Sequence, residues 1–326
     1  MHFQEETIDD LMMSVYSALL ASGKANKATK GKTIELLGCN LVLSNPRARI
    51  SSSESRGKIF SCLGELLWYL SGTGDTEFIK HYIKKYDCCI EENGEINGAY
   101  GPRIFHMHDK YDQFSNIIKI LEEKSTTRRA VIQLFDARDI QENYNDVPCT
   151  LSLQFVVRNN KLDLYTMMRS NDAFLGLPHD IFCFTMLQEI ISSSLGYELG
   201  KYHHFVVSLH IYTEHKLKIQ EMQNEGYMST HDIMPEMPKE NFLNFRDIIL
   251  NSEKKIRENQ SIDIQELNIN SYWKDILNLL EVYSLISNDK NIDIGHLVNK
   301  LSNKKYKIFI DSKINGINNE KTRSIK

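Results

Sequence analysis

The chain has 326 residues, with 39 Lys+Arg against 43 Asp+Glu for a net charge of −4, and 41% of its residues are hydrophobic. That length supports one large domain with an appendage, or two domains. The near-neutral balance gives no global basic field of the kind nucleic acid selects, and no apolar run reaches membrane-spanning length.

The opening residues lack a basic stretch followed by a long apolar run, so no secretory leader is expected. The cysteines are Cys39, Cys62, Cys88, Cys89, Cys149 and Cys183. They form no CxxC pair, and adjacent Cys88 and Cys89 do not readily bridge. A reduced, cytoplasmic protein is the expectation.

In chain order, Ile59, Phe60, Leu63, Leu66, Leu67 and Leu70 recur at helical spacing, and Glu65 lies among them. Leu151, Leu153, Phe155 and Val157 alternate with Ser152, Gln154 and Arg158, which predicts a strand. Asn159-Asn160 suits a hairpin turn, and Leu162, Leu164 and Thr166 begin the return strand. Phe184, Leu187, Ile191 and Leu195 predict a second buried helix that stops at Gly196. Hairpin strands with long helices elsewhere imply an α+β fold. Gly and Pro thin out after about Met234, where the chain turns rich in Asn, Lys, Ile and Leu. A boundary is therefore expected near Met234–Pro238, followed by two or three amphipathic helices, one over Tyr272–Ile286.

The residues with chemical potential cluster between Asp146 and His215. Cys149 follows a proline and precedes the alternating strand. A thiolate is a strong nucleophile that can add covalently to an electrophilic carbon and later leave. It must ionise near neutral pH, which a nearby guanidinium favours. Taken alone, a lone Cys is more often a small buried residue. Arg169-Ser170-Asn171-Asp172 follows, where Arg grips phosphate through two parallel bonds and Ser adds a third. Arg128-Arg129 is a second basic pair, readable also as a solvated surface. Adjacent arginines on one strand would point to opposite faces and not share one site. Glu65 is an acid amid apolar neighbours, costly to bury unless used or paired. His106-x-His108 and His203-His204 lack a partner cluster at ligand spacing, so no metal is expected. Lys304, Lys305, Lys307 and Lys313 read as a solvated face.

These motifs, in this order, resemble the thymidylate synthase superfamily over roughly residues 29–235, and within it the deoxycytidylate hydroxymethylases most. The carriers are GELLWYLSG around Glu65, GEINGAYGPR around Tyr100, Pro148-Cys149, RSND, LGLPHD ending in Asp180, and His210-x-Tyr212. The resemblance implies a homodimer with shared active sites, a nucleoside monophosphate substrate and methylenetetrahydrofolate as co-substrate, with no membrane or nucleic-acid partner. It assigns Cys149 as nucleophile, Glu65 to ordering water and moving protons, and Tyr100 to removing the carbon 5 proton. Arg169, Ser170 and, from the neighbouring subunit, Arg128 and Arg129 would bind phosphate. His210 and Tyr212 would bind the sugar 3′-hydroxyl, and Tyr86, Asp172 and Gly176 the folate side.

Five departures from thymidylate synthases shape the reading. Thr150, not His, follows the cysteine. Asp180 stands where thymidylate synthases have Asn, opposite the base edge. A carboxylate accepts from the cytosine amino group, and a protonated one also donates to the ring nitrogen. Asp180 could equally cap the helix that follows. Tyr86 replaces a shielding Trp, and the family's short closing segment is not found at the C-terminal end. Both suit water as the final nucleophile. Ala28 falls where an N-terminal phosphate-binding Arg is usual, with Lys27, Lys30 or Lys32 as substitutes. The expectation is 5-hydroxymethylation of dCMP or CMP by a catalytic domain over 1–235, with a helical extension over 236–326. The alternatives are a thymidylate synthase acting on dUMP, and a nucleotide-binding regulatory protein with a partner-binding tail.

Overall fold

The computed structural model describes residues 1–28, 31–53, 58–226, 228, 233–288 and 295–324, with side chains described up to residue 315. The elements run β1 His2–Glu5, α1 Ile8–Ser22, β2 Lys24–Ala28, β3 Gly31–Leu43, α2 Ile59–Ser71, α3 Thr76–Tyr82, α4 Tyr100–Phe105 and α5 Gln113–Glu123. They continue β4 Val131–Gln133, β5 Thr150–Arg158, β6 Lys161–Asp172, α6 Leu177–Leu195 and β7 Glu198–Tyr212. After these come α7 Lys216–Asn224, α8 Arg246–Arg257, α9 Ser271–Ser287, α10 Gly295–Lys300 and α11 Lys307–Ser324.

Alternation along β5 puts Leu153, Phe155 and Val157 on one buried face. Asn159 and Asn160 take φ of 49° and 61°, so the chain reverses in two residues and pairs Arg158 with Lys161. The resulting seven-stranded sheet has the order β1-β3-β7-β6-β5-β4, with β2 pairing β3. It is mixed: β6 runs parallel to β7, and β1 to β3, while the other pairs are antiparallel. With helices packed on this sheet, the architecture is α+β, as the strand and helix patterns imply.

Helix α6 begins at Leu177, seven residues before the first apolar position that the spacing picks out, because Pro178 suits a first helical turn. It ends at Gly196, whose φ of 75° admits the left-handed cap. Apart from its ends, α6 is buried nearly all round, lying between β6, β7 and α2. This layering sets Glu65 of α2 and Asp180 of α6 against the same stretch of core.

The segment that joins to the C-terminal helices is packed down. Met234 and Met237 are buried, Met234 N donates to Arg47 O at 3.0 Å, and Met237 N donates to Glu189 Oε1 at 3.0 Å. Helices α8 and α9 rest on α2, and Trp273 of α9 is fully buried against Phe242 and Phe245. One continuous apolar cluster runs from Ile8 of α1 to Ile310 of α11. No described helix is long and apolar enough to cross a membrane.

Candidate functional site

Cys149 sits immediately before β5, half-buried, and its carbonyl accepts from Arg169 N of β6 at 2.9 Å. The Arg169 guanidinium turns back onto the approach to the cysteine: Nε donates to Pro148 O at 2.9 Å and Nη2 to Val147 O at 2.8 Å. Arg169 thus holds the Val147-Pro148-Cys149 turn, a task its assignment to phosphate did not foresee.

Tyr100, at the start of α4, closes the other side. Its hydroxyl donates to Thr150 Oγ1 at 2.9 Å and accepts from Thr150 N at 3.2 Å, next to the thiol. Burial, then the nearby Asp180 and Cys149, push the Tyr100 phenol well above its ordinary value, so it stays an O–H donor.

A network unmarked by sequence reasoning fixes this corner. Arg103 clamps Asp139 through two bonds, Nη1 to Oδ2 at 2.7 Å and Nη2 to Oδ1 at 2.6 Å, and also donates to Leu134 O and Asn97 O. Asn97 Nδ2 donates to Asp146 O at 3.2 Å, which ties α4 to the cysteine loop. The only signal was the arginine of the AYGPR run, three residues after Tyr100.

Glu65 is buried on α2, and its Oε1 accepts from Tyr69 one turn on at 2.9 Å and from Tyr86 at 2.6 Å. Burial, then the Glu65 charge, push both phenols well above their ordinary range, so both donate. Tyr86, expected on the folate side in place of a shielding Trp, instead bonds directly to Glu65 and packs edge-on to Trp68 at 5.3 Å.

Asp180 stands in the first turn of α6. Gly176 occupies the cap position and Asp180 N makes an ordinary helical bond to Gly176 O at 3.0 Å, so Asp180 is not the cap. Asp180 Oδ2 accepts from Asn171 Nδ2 at 2.7 Å. Burial, then the neighbouring Glu65, hold its carboxyl well above the usual carboxylate range. This environment favours the neutral form of the Asp180 carboxyl.

The β6–β7 register joins the sugar and phosphate candidates. Ser170 pairs with Ser208 and Asp172 with His210, and Ser170 Oγ lies 3.4 Å from His210 Nδ1. Tyr212 at the end of β7 pairs with Thr33 of β3, and its ring packs over Gly31. Lys27 and Lys32 face each other across the β2–β3 hairpin beside Tyr212, while Lys30 lies outside the described residues. Asp172 Oδ1 accepts from Phe174 N at 2.8 Å and Leu175 N at 3.1 Å.

Arg128 and Arg129 are exposed, and they lie in the turn before β4 and not on a strand as the sequence argument supposed. Ala130 O accepts from Phe155 N at 2.9 Å, so the pair sits six residues along β5 from Cys149, roughly 20 Å away. One chain does not bring them to its own thiol. The histidine pairs are engaged elsewhere: His108 Nε2 meets Asp136 Oδ2 at 2.8 Å, and His203 stacks on Tyr165 at 4.3 Å. Among the described residues no group of His, Cys, Asp and Glu could hold a metal ion.

Comparison with known proteins agrees with this geometry. The family model described as thymidylate synthase matches residues 17–273. The thymidylate synthase of Bacillus mojavensis is 32% identical over 168 residues, covering 49% of this chain and 60% of that protein. The deoxyuridylate hydroxymethyltransferase of Bacillus phage SP01 is 29% identical over 218 residues, covering 63% and 57%. That of Delftia phage PhiW-14 is 27% identical over 216 residues, covering 61% and 59%. The chain spans less than two thirds of the length of each of these relatives.

Proposed function

The chain belongs to the thymidylate synthase family, and on that premise we propose that it transfers one carbon to carbon 5 of a pyrimidine nucleoside monophosphate, with dCMP as substrate and a 5-hydroxymethyl product. The observation that carries the cytosine reading is the buried Asp180 carboxyl, bonded to Asn171 at 2.7 Å and pushed well above the usual carboxylate range by burial and the nearby Glu65, which favours its neutral form. A neutral carboxyl offers one donor and one acceptor. Cytosine offers a bare ring nitrogen and an amino group, which it can satisfy in full. A wrongly matched edge leaves a buried group unpaired and discriminates strongly.

In this reading Cys149 adds to carbon 6, its S–H proton leaving to solvent and the ring electrons moving toward carbon 5. Asp180 stabilises the charge that develops on the ring edge. Tyr100, at hydrogen-bond distance from Thr150 beside the thiol, keeps its own proton and assists by orienting a water that carries the carbon 5 proton to solvent. Glu65, fixed by Tyr69 and Tyr86, orders the water that becomes the hydroxyl, and the thiol departs by elimination across carbons 5 and 6. Methylenetetrahydrofolate, when bound, supplies a carbon at the oxidation level of formaldehyde. Asp172, Tyr86 and Gly176, which the resemblance assigns to the folate side, would hold it there.

The active unit is proposed to be a homodimer with shared sites. Its support is the separation of Arg129 from Cys149 within one chain and the apolar outer face of the sheet. There Leu37, Phe205 and Val207 are 67%, 40% and 49% exposed, beside Met167 and Val131. Residues 1–235 would form the catalytic unit and 236–326 a helical extension that braces α2.

A second reading keeps the hydroxymethyl product but takes dUMP as substrate, favoured by the names of the two phage relatives. Relative kcat/KM for dCMP and dUMP separates the two. Wild type is expected to favour dCMP by roughly tenfold or more, worth on the order of 1–3 kcal/mol. Asp180→Asn is expected to move the preference toward dUMP. The dCMP preference should weaken as pH rises through the Asp180 pKa, because the ionised carboxylate loses its donor to the ring nitrogen. Wild type that favours dUMP at every pH overturns the cytosine assignment.

A further inference from the structure

A neutral carboxyl has a weakness as a base reader. Its proton can sit on either oxygen, so an unconstrained Asp180 presents donor–acceptor in one order to cytosine and in the reverse order to uracil. It would then accept both bases. Discrimination needs something that decides which oxygen holds the proton.

Behind Asp180 lies a chain of three buried polar side chains that the mechanism above does not use. Tyr202 and His204 of β7 and Asn171 of β6 are all inside the core, the two β7 residues with no exposure and Asn171 with 3%. The Tyr202 hydroxyl meets His204 Nδ1 at 2.7 Å, His204 Nε2 meets Asn171 Oδ1 at 3.1 Å, and Asn171 Nδ2 meets Asp180 Oδ2 at 2.7 Å. Burial lowers the imidazole of His204 to about 3, so the ring is neutral and holds a single N–H. Asn171 Oδ1 can only accept, which puts that N–H on Nε2 and makes Nδ1 the acceptor of the Tyr202 proton. Every bond then points the same way, toward Asp180 Oδ2. Turning the Asn171 amide over would reverse the whole chain and demand a proton from Asp180, an arrangement closed to the ionised carboxylate. The direction toward Asp180 serves both charge states. Gly176 makes room for it: a Cβ there would come within 3.0 Å of Asn171 Nδ2 and 3.5 Å of Asp180 Oδ2.

We infer that Tyr202, His204 and Asn171 are specificity-determining positioning residues, a relay that occupies Oδ2 of Asp180 as an acceptor and confines the carboxyl proton to Oδ1. The relay turns a two-faced acid into a reader with a fixed order of donor and acceptor. A half-satisfied buried network is costly, so the order is stiff. This inference rests on the reading of Asp180 as the group that contacts the base edge.

The test is calorimetric binding of dCMP, dUMP and base-free deoxyribose 5-phosphate to the full-length wild type and to Asn171→Leu, His204→Phe and His204→Gln. Asn171→Leu and His204→Phe remove the relay at nearly constant volume. His204→Gln keeps an N–H at the place of Nε2. In the first two variants the ratio of dCMP to dUMP affinity is expected to fall toward unity by roughly tenfold, with sugar-phosphate affinity unchanged. His204→Gln should recover most of the wild-type ratio, which a merely structural role for the ring would not produce. If Asn171→Leu fails to fold, the contrast between His204→Phe and His204→Gln decides. Variants that bind the sugar phosphate normally and keep the wild-type base ratio overturn the relay. A wild type that favours dUMP sinks the cytosine assignment alone, because the relay is judged by whether the ratio collapses, whichever base it favours.

Discussion

Cys149→Ser is expected to lose turnover by on the order of a thousandfold or more, since an alcohol is a far weaker nucleophile and a poorer leaving group than a thiol. The replacement is small and its surroundings are anchored independently. Arg169 holds the Val147 and Pro148 carbonyls, and Tyr100 holds Thr150. Nucleotide affinity should therefore survive within a few-fold, because Ser170, His210 and Tyr212 remain. Single-turnover assays with dCMP and folate, beside a binding titration, check both halves. Near-normal turnover in this variant would exclude covalent activation through Cys149.

Hybrid dimers provide the second large effect. Arg129→Ala and Cys149→Ser should each be almost inactive alone. If sites are shared, mixing and re-equilibrating the two proteins creates dimers in which one site has an intact Cys149 from one chain and an intact Arg129 from the other. Random reassociation makes half the dimers hybrid, each with one good site of two, so about a quarter of wild-type activity should return. The placement of the arginines motivates this. They are exposed beside Phe155, six residues along β5 from the thiol. A mixture that stays inactive after verified exchange, or a fully active monomer, would rule out sharing.

Much of the fold could be read from local pattern. The alternation of β5, the Asn159-Asn160 turn and the glycine stop at Gly196 each rest on short-range geometry, and each appears in the structure. The start of α6 is not marked by the apolar spacing, because Pro178, His179 and Asp180 occupy its first turn. The setting of Arg128 and Arg129 in a turn, and not a strand, escaped notice because β4 is only three residues long. At the candidate site, sequence motifs supplied the residues but not their bonds. That Tyr86 meets Glu65, that Arg169 braces the cysteine turn, and that Arg103 clamps Asp139 all depend on contacts between residues 21 to 36 positions apart. The His204 relay was hidden most deeply. In sequence His203-His204 looked like a possible metal pair, and only the strand register sends one ring outward to Tyr165 and the other inward to Asn171.

The central claim is one-carbon transfer to carbon 5 of dCMP with water as the last nucleophile. The most direct measurement is the mass of the nucleotide released when the wild-type protein turns over dCMP and dUMP in competition with methylenetetrahydrofolate. The expected result is a deoxycytidylate heavier by CH2O, formed faster than any uridylate product, with tetrahydrofolate left behind. Release of thymidylate from dUMP, with dihydrofolate formed and dCMP untouched, would contradict it.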